Sequence, residues 1–216
     1  MKRNVIKEIA VILLAMLVCT SCTKYMNPEP KFEEYEREMD RIGKRKVLII
    51  SVDGLVGQEL KKKIPTNIAD LMKSSKYTFD AMADPNTSDA AAWTTIMTGY
   101  TSNRHNAIDE SFMPSVNVNN EHGEMDFVPS FIYRLADSEN SVRSSVIVQD
   151  ESLASILLVD ADDNILVDSD EKVKNETIAF MAINSPDICV IQFKDVLRAG
   201  VNTGFSMDQQ AYDDAI

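Results

Sequence analysis

Chemistry in this chain concentrates where apolar runs break into Asp, Ser and Thr. Lys46-Val47-Leu48-Ile49-Ile50-Ser51-Val52-Asp53-Gly54 is a continuous aliphatic stretch that ends abruptly in Asp-Gly. Such a run, rather than an alternating one, predicts a strand covered on both faces, as in a parallel sheet. Ligands gather at the carboxyl ends of such strands, so Asp53 falls where a metal or phosphate would be held. The plainer reading is that Asp-Gly only turns the chain. A second stretch, Asp84-Pro85-Asn86-Thr87-Ser88, has turn chemistry and precedes a predicted helix over Asp89 to Thr98, closed by Gly99. Free backbone N–H groups and the helix dipole make that turn a natural anion site. A hydroxyl there, Thr87 or Ser88, would attack phosphorus if a metal lowered its pKa.

A third stretch has the spacing of a calcium loop. Asp160, Asp162, Asn164 and Glu171 stand at its first, third, fifth and twelfth positions. Position six is Ile165 where the loop wants Gly, and a β-branched residue is strained in a left-handed conformation. A polar hairpin turn between Ile156–Val159 and Ile165–Val167, leading into an acidic helix start, is the simpler account. Of the two histidines, His122 reads as surface. Trp93, among Ala90, Ala91, Ala92 and Met97, reads as core rather than as a substrate platform, and the eleven methionines as core fill.

The elements that must position these groups follow from periodicity. Helical spacing covers Leu55 to Lys63 and Thr66 to Ser75, with Thr66 as N-cap. Tyr77 to Met82 is a short strand, Phe127 to Asp137 a helix, and Val142 to Val148 a third strand. Ser152 to Val159 suits strand or helix alike. Ser169 to Asn184 is an amphipathic helix, Ile188 to Phe193 a fourth strand, and Met207 to Ile216 begins another helix. Strand and helix alternate, which predicts an α/β fold with a mainly parallel sheet flanked by helices.

Composition sets the wider frame. The formal charge of −12 excludes a nucleic-acid partner, because phosphate backbones demand basic patches. Lys2, Arg3 and Lys7 precede an apolar core from Ile9 to Cys19 that is too short to span a bilayer. Thr20-Ser21-Cys22 then sets a small residue directly before a cysteine, and this leader resembles that of bacterial lipoproteins. The resemblance implies a signal peptide over 1–22, lipidation of Cys22 and a membrane anchor in the bacterial envelope. Cys19 departs from the usual Leu, and an ordinary cleaved signal is the alternative. Residues 23–45 are polar, with Pro28 and Pro30, and read as a tether followed by a short surface helix. Only Cys22 and Cys189 remain after the leader, so no disulfide framework exists.

Residues 46–216 resemble the alkaline phosphatase superfamily, especially its phosphodiesterase and nucleotide pyrophosphatase branch. The likeness rests on four motifs in the right order: the Val47–Gly54 strand with its Asp-Gly, Thr87 to Gly99 (TSDAAAWTTIMTG), Tyr100 to Ala107 (YTSNRHNA), and Ile188 to Ile216. It implies an alkaline-phosphatase-like α/β domain, of which this chain covers the N-terminal half. It also implies a two-metal centre, zinc for preference, that hydrolyses a phosphate ester or diester through a phosphorylated Ser or Thr. Position by position, Asp53 matches a metal ligand. The nucleophile position falls on Asp89, which can ligate metal, with Thr87 and Ser88 just before it. His105 matches a loop residue that is structural. The later Asp and His ligands fall on Leu197 and Val201, and neither aliphatic side chain can donate to a cation.

Such a centre needs about six protein ligands. Asp53 and Asp89 are the ones this chain supplies. Two expectations therefore stand side by side. One is a metal-dependent phosphoester hydrolase of the envelope. The other is a non-catalytic binding or scaffold lipoprotein, or a gene fragment, that keeps the fold and needs no cofactor.

Overall fold

The computed structural model describes residues 46–115, 128–138 and 142–216. The expected signal peptide over 1–22, Cys22, the tether over 23–45 and His122 lie outside the described residues. Strands β1 (Val47–Val52), β2 (Ser144–Val148), β3 (Asp163–Leu166) and β4 (Ile188–Phe193) form one sheet in the order β1-β4-β2-β3. Every pairing in it is parallel. Helices α1 (Gly57–Leu60), α2 (Thr66–Met72), α3 (Asp89–Thr98), α4 (Ser102–His105) and α5 (Phe131–Ala136) come between β1 and β2. After β3 follow α6 (Asp170–Ile183), then β4, α7 (Asp195–Thr203) and α8 (Gln210–Ala215). The fold is α/β with a parallel sheet and flanking helices.

Period-two alternation divides the strand residues between two cores. Val146, Val148 and Val190 face Ala90, Trp93 and Met97 of α3, with Ile49 packed at the margin. Ile147, Cys189 and Ile191 face Val173 and Phe180 of α6. Both helices start where the sequence supplies a cap. The Ser88 hydroxyl accepts the Ala91 N–H, and the Ser169 hydroxyl accepts the Lys172 N–H. Gly99 ends α3 in a left-handed conformation, φ 74°, as a C-cap glycine does.

The structure corrects several expectations. β1 is not covered on both faces: Val47, Leu48 and Ile50 are 48, 43 and 55% exposed. It lies at the sheet edge, with β4 on one side and, among the described residues, no strand on the other. Tyr77 to Met82 is not a strand. Its Phe79 carbonyl lies against Gly57 and accepts from the Gln58 amide at 3.3 Å, so the segment rests on α1 rather than joining the sheet. Thr66 opens α2 from within, and Pro65 holds the N-cap position. The ambiguous apolar segment is a wide helical turn, Leu153–Leu157, in which the Leu158 N–H reaches the Leu153 carbonyl at 3.0 Å.

Neither the calcium loop nor the hairpin forms at 160–171. β3 runs parallel to β2 and begins at Asp163. The Asp162 carboxylate accepts from the Ser144 N–H (2.7 Å) and hydroxyl (3.0 Å). That of Asp163 accepts from Arg143 at 3.0 and 3.1 Å and from the Ser145 hydroxyl at 3.0 Å. These acids fasten β3 to the start of β2, and among the described residues no three acidic side chains there share a centre.

Candidate functional site

The carboxyl ends of β1, β4 and β2 deliver Asp53, Gln192 with Lys194, and Gln149 with Asp150 to one end of the sheet. Asp53 is held first by its backbone, whose N–H donates to the Phe193 carbonyl at 2.9 Å. The next residue turns the chain: Gly54 has φ 79°, and a Cβ there would stand 2.6 Å from the Leu197 Cα. Only glycine meets both demands, the left-handed backbone and the close approach of α7. Tyr212 of α8 clamps the far side of the turn, donating to the Gly54 carbonyl at 2.8 Å and accepting the Val56 N–H at 3.1 Å.

The Asp53 carboxylate accepts three hydrogen bonds from protein donors. Its Oδ1 accepts from the Ser51 hydroxyl at 2.6 Å; its Oδ2 accepts from the Gln192 amide at 2.7 Å and the Trp93 indole N–H at 3.2 Å. Burial raises its pKa above the ordinary carboxylate value, against the pull of these three hydrogen bonds; the nearby Asp89 charge pushes the same way. Gln192 completes the chain of contacts by accepting the Gln149 N–H at 3.0 Å through its own carbonyl oxygen. All of these donors are neutral.

Beside this network a solvent-open cleft of about 600 Å³ is bounded by the start of α3, the 108–112 loop, Asp150 and α7. Ser88, Asp89, Asp109, Glu110 and Asp150 give it a polar wall. Leu197 and Val201, four residues apart on α7, give it an apolar one. Into it reaches Lys194, whose ammonium lies 3.2 Å from the Asp150 Oδ2 and 3.6 Å from the Asp89 Oδ2. The Lys194 side chain is only 16% exposed.

Each residue singled out in the sequence can now be placed. Asp89 and Ser88 line the cleft. Thr87 is exposed and is not part of its wall. The Ser88 hydroxyl is engaged twice, accepting from the Ala91 N–H at 3.3 Å and donating to the Ile108 carbonyl at 2.9 Å. Asp53 does not line the cleft; its carboxylate is turned onto Trp93 and Gln192. Leu197 and Val201 stand in the cleft wall, where they present hydrocarbon. His105 is fully buried, with Nδ1 accepting the Ala107 N–H at 3.1 Å and Nε2 3.0 Å from the Thr95 hydroxyl. The first contact makes Nδ1 an acceptor, so Nε2 carries the proton and donates to Thr95. Burial also depresses the His105 pKa, which keeps the ring neutral.

A zinc pair does not fit this donor set. Among the described residues no group of three or more His, Cys, Asp and Glu side chains is placed to share an ion. An ion at the Asp53 Oδ2 would have to displace Gln192 and Trp93, and one at Asp89 and Asp150 would meet the ammonium of Lys194.

Sequence reasoning missed Lys194, Gln192, Gln149 and Asp150. Their one visible signal is position: Gln192 interrupts an otherwise apolar strand one residue before its end, and Lys194 follows directly. A buried polar residue there must have a partner. Compared with family models and with curated proteins, the chain matches none.

Proposed function

We propose that residues 46–216 form a metal-independent binding domain of an envelope lipoprotein, anchored through Cys22. In this reading the domain keeps a phosphoesterase-like α/β scaffold without phosphoesterase chemistry. The observation that carries the reading is the Asp53 carboxylate, whose Oδ2 accepts from both Gln192 and Trp93 and whose Oδ1 accepts from Ser51. Three of its about four lone-pair sites thus serve the architecture, and it does not line the cleft.

The cleft's lining supports a ligand class. Asp89, Asp109, Glu110 and Asp150 set four carboxylates against the single ammonium of Lys194. Their net negative field repels a phosphate ester and favours an organic cation or a hydroxyl-rich molecule. The apolar wall of Leu197 and Val201 would cover the hydrocarbon part of such a ligand.

The second reading is the metal-dependent phosphodiesterase. What favours it is the cleft's opening onto Ser88 and Asp89 at the start of α3. Zinc would then have to recruit Asp89 and Asp150 away from Lys194.

One assay separates the two. The purified chain, supplied with zinc, is incubated with a chromogenic phosphodiester, and its thermal stability is measured with polyamines, sugars and phosphate esters in turn. The binding reading predicts no hydrolysis above buffer and stabilisation by amines. Turnover that disappears in Asp53→Ala would establish the hydrolase instead.

A further inference from the structure

We propose that the Lys194 ammonium is the cleft's resident cation, a tethered charge that holds Asp89 and Asp150 together in place of a divalent ion. The inference rests on the metal-independent reading above and adds to it the group that takes the ion's place. It also predicts a site that one substitution uncovers.

The placement of Lys194 is built rather than incidental. It follows the last residue of β4 and precedes α7, and its backbone N–H donates to the Asp170 Oδ1 at 2.8 Å. The Asp195 N–H donates to the other oxygen of the same carboxylate at 3.1 Å. Asp170, at the start of α6, thus caps α7 from outside and fixes where the Lys194 stem begins. From there the side chain runs into the cleft and is 16% exposed.

Its two partners come from separate elements. Asp150 follows β2; its Oδ1 accepts the Leu153 N–H at 3.0 Å, which orients Oδ2 toward Lys194 at 3.2 Å. Asp89 is the first residue of α3 and lies 3.6 Å from the ammonium, an ion-pair distance without a hydrogen bond. Two carboxylates aimed at one point repel unless a cation stands between them. An ammonium meets that need permanently, at a single charge and with no open coordination position.

Removing the ammonium while keeping the carboxylates leaves an all-oxygen cluster. Such donors suit a hard divalent ion, once each carboxylate closes by about 1 Å toward it. Lys194→Ala is therefore expected to create a cation site that the wild-type chain lacks.

The test is titration of the full chain with Mn²⁺, read by the loss of the free-ion paramagnetic resonance signal. Wild type should show only weak uptake. Lys194→Ala, and Lys194→Met with its retained aliphatic stem, should bind one ion about tenfold more tightly or better. The double variant K194A/D150N should return to the wild-type curve. Folded variants that gain no affinity overturn the inference but leave the metal-independent reading standing. Tight wild-type binding overturns both. Loss of the fold in both single variants also overturns it, because a partly exposed ion pair is too weak to hold a domain together.

Discussion

Asp53 and Asp150 both stand at the carboxyl end of the parallel sheet, one after β1 and the other after β2, and the protein satisfies them by opposite means. Asp53 is largely buried and meets only neutral donors: a hydroxyl, an amide and an indole. Asp150 lies at the cleft and meets an ammonium at 3.2 Å. The carboxylate whose charge burial opposes thus lacks a countercharge, while the one at the cleft has it. Asp53 is a joint that ties β1, α3 and β4 together; the charge chemistry belongs to the cleft beside it.

The comparison can be broken most forcefully at the joint. Asp53→Ala leaves the Gln192 amide and the Trp93 N–H buried without their acceptor, and each such loss is costly. Urea unfolding should show a loss of about 2–4 kcal/mol. A loss under about 0.5 kcal/mol would mean that Asp53 is not structural.

A finer test uses pH, where the two kinds of environment give opposite signs. Burial raises the Asp53 pKa in the folded state above its ordinary value of 3.8. The folded chain therefore binds this proton more readily than the unfolded one. Stability from this group is greatest below 3.8 and declines as pH rises through the folded value. Carboxylates held down by hydrogen bonds, such as Asp163 beside Arg143, act in the opposite sense and lose stability as pH falls. The difference between wild type and Asp53→Asn isolates the first effect. Relative to the Asn variant, wild type should lose stability as pH rises across the window above 3.8. A difference that grows with pH would show that the fold lowers the Asp53 pKa, which contradicts this account.

Much of the fold was legible in the residues. β1, β2 and β4 are short aliphatic runs bounded by polar residues, and α3 and α6 carry Ser caps, with Gly99 closing α3. Local chemistry specifies those elements, so local reading finds them. Tyr77 to Met82 has strand composition and forms none, because joining a sheet depends on a partner edge that no local pattern reveals. The same limit explains the half-exposed β1: an apolar run does not state how many neighbours it will have.

The site was less legible still. Asp53 was visible from its place after the strand, but its partners Trp93 and Gln192 stand 40 and 139 residues away. Lys194 gives no motif signal, since its role depends on Asp150, which the sheet brings beside it, and on Asp89, which the packing of α3 on the sheet brings. Leu197 and Val201 were found by position and do line the cleft wall, as hydrocarbon rather than as ligands.

The most direct measurement of the central claim is the zinc content of the full chain after equilibrium dialysis against zinc, determined by elemental analysis. An architectural Asp53 and a cleft that carries its own ammonium predict no stoichiometric zinc. A bound ion, or a pair of them, retained by wild type and lost in Asp53→Ala would contradict that account.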